Sequence, residues 1–378
     1  CLLLFRPAVL LHSTMNVAGR ILIVVSSVTF AFPPEYFYPE LNTNPPPFGN
    51  WSTVLGPITS HFEGWLERNG YGPDDFAQRR FNVYGSYGGK TAENQKLLHA
   101  PIVFFHGNED GALAIPGRYT SGSSAQIEFL LSKGYSSAEL YVTTWGDRDG
   151  SFAMNSAHSC AMMTRQRRFV EAVIEYTRAR WINVLAHSMG VTVARKVAKG
   201  GMIYEQDGNT CNLGPPLTEK IGVFVGITGA NYGMCPCQGS LAYLPTCSTT
   251  NGFWPGDECS GSKLKCGTTE PLLPCNQQNY SRLLREMNTD NIREGQKVYS
   301  FWTLNDDIIV NSAIAWGRPT SYIPNSELFI YRNFTHMETK EKTVAQQLSL
   351  VEPYSQYVSM DELYISNTTY LFLFFVIL

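Results

Sequence analysis

Apolar runs and amphipathic stretches alternate along most of the chain. Residues 101–105 (Pro-Ile-Val-Phe-Phe) are continuously apolar, the pattern of a strand buried on both faces. Residues 124–133 carry helical spacing and stop at Gly134. A second strand is predicted over 139–144. A long amphipathic helix is predicted over 162–180, with Phe169, Val173, Ile174 and Tyr176 on its apolar stripe. A strand at 181–186, a helix at 191–199 and a strand at 221–226 follow. Residues 297–304 and 327–331 read as the last two strands and 343–350 as a closing helix. Strand and helix in alternation predict an α/β fold, a mostly parallel central sheet flanked by helices.

The rhythm breaks in three places. Residues 33–50 hold six prolines and read as an extended arm, and 85–89 (Gly-Ser-Tyr-Gly-Gly) as a loop. Between 228 and 278 the chain is dense in Gly, Pro and Cys and carries Tyr232, Tyr243, Phe253 and Trp254. An irregular segment of that length inside a domain is usually functional. It is expected to be a cysteine-pinned insert over the top of the sheet, with Phe253 and Trp254 bordering a substrate pocket. Strands resume after it, so residues 32–365 are expected to form a single domain.

Both ends read as processing signals. From Met15, the expected start, a short region ends in Arg20, an apolar run covers 21–30, and the small Ala31 closes a leader over 1–31. Residues 366–378 end in an apolar tail about half the length needed to span a bilayer. The tail fits either a lipid-anchor signal or an artefact of the gene record. Nine cysteines agree with export: Cys1 lies in the leader, and Cys160, Cys211, Cys235, Cys237, Cys247, Cys259, Cys266 and Cys275 can form up to four disulfides. Zinc is the rival, but the spacings repeat no Cys-x-x-Cys pair and no His stands among them, so no metal is expected. Glycosylation sequons at Asn50, Asn279, Asn333 and Asn367 suit the secretory route, although Asn333 is a candidate for burial in a strand. A secreted protein with disulfides and glycans is therefore expected.

Composition narrows the class. With 44% hydrophobic and 16% charged residues and a formal charge of −3, the chain is globular, and without a basic stripe it excludes nucleic acid as a partner. Its 13% aromatic content suits apolar ligands as well as an ordinary core.

The chemistry gathers around Ala186-His187-Ser188-Met189-Gly190, which lies between a predicted apolar strand and a predicted helix. A sharp strand-to-helix turn lifts a serine hydroxyl out of the sheet, and small flanking residues let strand and helix pass closely. Ala186 stands where the first glycine of such a turn is usual. Acyl transfer also needs donors for the developing oxyanion. The backbone amide of Met189 is one. The loop after the first central strand, His106-Gly107-Asn108, offers the amide of Asn108, with His106 shaping the loop. In folds of this type the acid and the histidine follow the serine in that order. His336 is the sole histidine downstream of Ser188 and is expected in a loop after the 327–331 strand. Asp306 and Asp307 both fit the acid's place after the preceding strand. His61, His99 and His158 precede the nucleophile and are expected to be structural or surface residues.

These motifs together resemble the class 2 lipases, minimal bacterial enzymes and their larger secreted relatives in nematodes. The resemblance rests on residues 186–190, 101–108, the Gly134-Tyr135 turn into Leu140-Tyr141, Gly229-Ala230-Asn231, and Asp307-Ile308-Ile309-Val310. It runs from about Tyr71 to Val351, and the cysteine-rich insert makes the chain more similar to the nematode group. The resemblance implies a cofactor-free α/β-hydrolase cleaving carboxylic esters of lipids. It also implies Ser188, Asp307 and His336 as triad, and Asn108 and Met189 as oxyanion donors. The expected activity is that of an extracellular triacylglycerol lipase or carboxylesterase working at a lipid–water interface, without a stable transmembrane segment. An acyltransferase with the same residues and a non-catalytic hydrolase-like binding protein are the alternatives.

Overall fold

The apolar runs pair side by side. In the computed structural model, which describes residues 54–258, 266–267 and 279–360, β1 is Ser86–Tyr87, β2 Ile102–Phe105, β3 Leu140–Thr143 and β4 Ile182–His187. A small hairpin follows, β5 (Met202–Tyr204) and β6 (Thr210–Asn212), and then the long central strand β7 (Ile221–Ile227) and β8 (Lys297–Thr303). A second hairpin, β9 (Ile314–Ala315) and β10 (Arg318–Pro319), precedes β11 (Glu327–Tyr331). The main sheet has the order β1-β3-β2-β4-β7-β8-β11, parallel throughout except for β1, which runs antiparallel to β3. The segment expected to be a loop at 85–89 thus supplies a short edge strand.

Helices cover both faces. α1 is Ser60–Arg68, α2 Ser124–Ser132, α3 Cys160–Thr177, α4 Met189–Lys199, α5 Arg282–Thr289, α6 His336–Lys342 and α7 Val344–Val351. Side chains alternate across the sheet with the strand period of two. Val103, Phe105, Val184 and Ala186 belong to one apolar cluster together with Phe169 and Val173 of α3 and Val193 and Val197 of α4. Ile102, Phe104, Leu185, Val223 and Val225 belong to the other, with Ile127 and Leu130 of α2 and Val351 of α7. The central strands β2, β3, β4 and β7 are therefore buried on both sides, which is why the sequence shows runs rather than alternation there. This is the α/β-hydrolase architecture. All described residues fall in one compact unit.

The order of strands fixes where a site can form. The chain steps from β2 outward to β3, then returns across β2 to β4 and proceeds the other way. At such a switch point the loops leaving the carboxyl ends of neighbouring strands part and open a crevice. Here those loops are 106–110 after β2 and the turn at Ser188 after β4.

Among the described residues three disulfides are formed: Cys160–Cys211 ties α3 to the β5–β6 hairpin, while Cys235–Cys266 and Cys237–Cys247 lie within the insert. Cys259 and Cys275, the proposed leader, the proline-rich arm and the apolar tail lie outside the described residues. Asn279 and Asn333 are exposed, and Asn333 follows β11 rather than sitting in it. No helix among the described residues is long and apolar enough to cross a membrane.

Candidate active site

Ser188 forms the corner between β4 and α4. Its backbone has φ 56° and ψ −130°, a region that non-glycine residues enter only when the surroundings enforce it. Two hydrogen-bond anchors do so: the Ser188 amide donates to the Ile227 carbonyl (2.9 Å), and the Val191 amide donates to the Ser188 carbonyl (3.0 Å). Close approach does the rest. A Cβ on Gly190 would lie 2.3 Å from the His106 carbonyl oxygen, and one on Gly107 would lie 2.9 Å from Ser188 Cβ. Both positions therefore need glycine, so that the loop after β2 can lie directly against the elbow.

Asn108 and Met189 each directly follow a residue of that contact, Gly107 and Ser188. Met189 opens α4, and first-turn amides have no acceptor within their own helix. Asn108 is held by its side chain, whose Nδ2 donates to the Ala153 carbonyl at 2.7 Å. His106 shapes the loop as expected. Its Nδ1 pairs with the Gly107 carbonyl (2.7 Å), its Nε2 accepts the Trp145 amide (3.0 Å), and its ring stacks on Trp145 at 4.8 Å. Burial, the largest influence, pushes its pKa down to about 4, so it stays neutral.

His336 is the first residue of α6, not part of a loop, and it is 1% exposed. Thr335 and Glu338 cap that helix reciprocally, the Thr335-x-x-Glu338 pattern being visible in the sequence. The ring packs against His187, the residue before Ser188, with centroids 4.7 Å apart. Its Nδ1 meets Asp306 Oδ2 at 2.8 Å, and its Nε2 is buried with no hydrogen-bond partner among the described residues. This geometry corrects the expectation for Asp307. Asp306 turns inward because its other oxygen accepts the amides of Ile308 (3.0 Å) and Ile309 (2.7 Å). Burial pushes the Asp306 carboxyl up, but the charge and hydrogen bond of His336 and those two amides outweigh it and hold the pKa below the usual aspartate range. Asp307 points the other way. It accepts the His336 main-chain amide (3.1 Å) and the Tyr119 hydroxyl (3.3 Å), and faces Arg118 at 3.6 Å.

The other histidines are placed differently. His187 and His158 are buried, and burial is the largest cause of their lowered pKa values, for His158 down to about 4. His158 bridges the Asn251 carbonyl and the Thr192 hydroxyl on α4, at 2.8 and 2.6 Å. His61 lies on α1 between Tyr176 and Glu93, and His99 stacks on Tyr135.

The insert reaches the site through its backbone supports rather than through its aromatics. Thr246, next to the Cys237–Cys247 bridge, sets its hydroxyl 2.7 and 2.8 Å from the Ala153 and Ser156 carbonyls, its single proton shared between them. Ala153 is the same carbonyl that anchors Asn108. Phe253 is 2% exposed and packs edge-on to His158, and Trp254 donates to Asp257. That puts Phe253 in the core rather than on a surface that an acyl chain could line.

Sequence reasoning also missed a buried tie across the site. Asp110, four residues beyond His106, accepts the amides of Gly111 and Gly122 and pairs with Lys340 of α6 at 3.3 Å. The loop carrying Asn108 and the helix carrying His336 are thus joined. A cavity of about 310 Å³ beside them is lined by Arg118, Tyr119, Asp307, Thr335, Met337 and Glu341. A larger one lies at the far end of α4, away from this chemistry. Among the described residues no group of His, Cys, Asp and Glu stands together as a metal site.

The family model described as Lipase (class 2) matches residues 99–349, more than half of the 378-residue chain, from just before β2 into α7. The chain belongs to the class 2 lipase family. As a class 2 lipase it is an ester-hydrolysing serine hydrolase. No curated protein sequence matches it significantly. Among solved structures it is similar to a monoacylglycerol lipase of Paleococcus ferrophilus (13% identity, TM-score 0.36, covering 68% of this chain and 99% of that one). It is also similar to a mature lipase of Bacillus licheniformis (13%, TM-score 0.39, 71% and 96%). A third is a carboxylesterase of Bacillus subtilis (13%, TM-score 0.33, 71% and 88%). At this distance the membership rests on the family match, not on these neighbours.

Proposed function

We propose that this class 2 lipase cleaves carboxylic esters of lipids through an acyl-enzyme, with Ser188 as nucleophile, His336 as base and Asp306 as the acid that orients it. The observation carrying this reading is the buried Asp306–His336 pair, whose Nε2 has no partner among the described residues and stands beside the strained turn of Ser188. Asp306 accepts the Nδ1 proton and so leaves Nε2 unprotonated to take the Ser188 proton. Ser188 attacks the ester carbonyl, the Met189 and Asn108 amides hold the oxyanion, and His336 returns its proton to the leaving alkoxide. Water, deprotonated by His336 in turn, then releases the acid.

A lipid substrate, rather than any ester, is supported by apolar side chains exposed on segments tied to the site. Phe152 and Met154 flank Ala153, and Ile308 and Val310 follow Asp306. The three disulfides support an extracellular working place, since such bonds persist in oxidising compartments. The cysteine-rich insert is what supports a closer kinship with the larger secreted nematode members. Purified protein should hydrolyse emulsified triacylglycerol as well as a short soluble ester, both activities vanishing in Ser188→Ala. Hydrolysis of the soluble ester alone would limit the reading to a carboxylesterase, and hydrolysis of neither would remove it.

A further inference from the structure

The far end of α4 carries a second candidate site. By helical rise Lys196 lies about 12 Å along the helix from Ser188. There a groove of about 520 Å³ opens between α4, the β5–β6 hairpin and α5. Lys196 lines it, is only 6% exposed, and has no hydrogen-bond or ion-pair partner among the described residues. Its stem is buried while its ammonium faces the groove, and partial burial lowers the pKa of this lysine against the opposing pull of Glu286 and Asp290.

The neighbouring charges are already engaged. Lys199 bonds Asp290 (2.5 Å) and the Ile292 carbonyl and lies 3.6 Å from Glu294. Glu286 is held by Arg282 at 2.7 Å. Among the described residues Lys196 is thus a cation of the groove with no hydrogen-bonded or ion-paired acceptor, feeling Glu286 and Asp290 only at longer range. The wall opposite is bare backbone: a Cβ on Gly201 would find Lys196 Nζ at 3.8 Å and nothing nearer. Gly201 is fixed by its amide to the Gly214 carbonyl (2.8 Å), and the hairpin is stapled to α3 by Cys160–Cys211. Beside the ammonium the lining turns apolar, with Met202, Ile292 and the Tyr204 ring, the last covered by the Arg282 guanidinium at 3.4 Å.

We propose that this groove binds an amphiphilic monocarboxylate, its carboxylate on Lys196 Nζ and its apolar body across Met202, Tyr204 and Ile292. A single uncommitted cation matches a single negative charge. Glu286 and Asp290 on the same groove disfavour more highly charged anions such as phosphate. Ester cleavage releases carboxylates of this kind, so on the proposed function the product is a natural occupant. The binding itself does not depend on that function.

Calorimetric titration of the full chain with sodium octanoate, below its micelle concentration, tests the site. Inorganic phosphate and octanol serve as parallel probes. Wild type should bind octanoate more tightly than either. Lys196→Met, and independently Met202→Glu at the exposed mouth, should weaken this binding by about tenfold or more. Both variants should keep wild-type turnover of a soluble ester. Octanoate held at the catalytic centre would show separately, as competitive inhibition unchanged in both variants. The proposal is overturned if octanoate does not bind, if it binds both variants like wild type, or if phosphate binds better. Loss of ester turnover in the wild type would instead count against the proposed function and leave the titration readable.

Discussion

Replacing Asp306 by Asn should abolish most turnover while leaving the fold in place. The asparagine oxygen can still accept the Ile308 and Ile309 amides, so the turn survives. Its NH₂ then replaces the oxygen that faces His336 Nδ1 at 2.8 Å. Two donors cannot share that contact, so the imidazole proton moves to Nε2, the atom that must receive the serine proton. The expected loss in kcat is on the order of 10³ to 10⁴, or about 4–5.5 kcal/mol on the barrier. In Asp307→Asn the oxygen that accepts the His336 amide is kept. What goes is one negative charge at the first turn of α6 and an ion pair with Arg118, whose side chain is 77% exposed. Each is worth about 0.3–1 kcal/mol, so turnover should fall only about two- to fivefold. Initial rates on p-nitrophenyl butyrate, with melting curves as fold control, separate the two. A pH series adds an independent reading. The Asp306 pKa is depressed in the fold, so its stabilisation is present above the unfolded value of about 3.9 and is lost as pH falls through the lower folded value. Asp306→Asn should therefore flatten the acid limb of the melting curve below about pH 4. Collapse in Asp307→Asn with Asp306→Asn near wild type would refute the assignment.

Three further outcomes are expected. Gly107→Ala would set a Cβ 2.9 Å from Ser188 Cβ, and the displaced elbow should cost about a hundredfold in kcat; full activity in this variant would show that the loop gives way freely. Thr246→Val removes the shared donation to the 153–156 segment and should cost about 1–3 kcal/mol in urea unfolding, with slower ester turnover as Asn108 loses its fixed anchor; unchanged rate would make the insert a bystander. Glu109, beside Asn108, has its carboxyl pushed up to about 7, by burial first and then by its hydrogen bond with Asp147. A raised acid stabilises the fold fully below its unfolded pKa and loses that contribution as pH rises through the folded value. The melting temperature of Glu109→Gln relative to wild type should thus climb between pH 5 and 8; a constant difference would contradict the pairing.

The parts of this molecule that were legible in the sequence are those decided locally. β2 and β4 are apolar runs because both faces of the sheet are covered, and the turn at Ser188 lies between such a run and a helix. The Asp306–Asp307 choice was not local. Both follow β8, and only the turn that points Asp306 at the Ile308 and Ile309 amides sends its second oxygen to His336. The start of α6 at His336 did have a signal, the Thr335–Glu338 capping box, which the expectation of a loop passed over. The supports of the site were illegible because they join distant residues: Thr246 holds Ala153 across 93 positions and Lys340 reaches Asp110 across 230. Aromatic content alone drew attention to Phe253, and packing on His158 explains that ring without a ligand.

The central claim is that Ser188 is a nucleophile activated by His336 and Asp306. Intact-mass spectrometry after a short exposure to a fluorophosphonate tests it most directly, with peptide mapping of the adduct. Wild type should gain one phosphonyl group, mapped to Ser188, and under the same exposure Asp306→Asn should gain almost none while still unfolding cooperatively on heating. An adduct on another residue, or no adduct on folded wild-type protein, would contradict it.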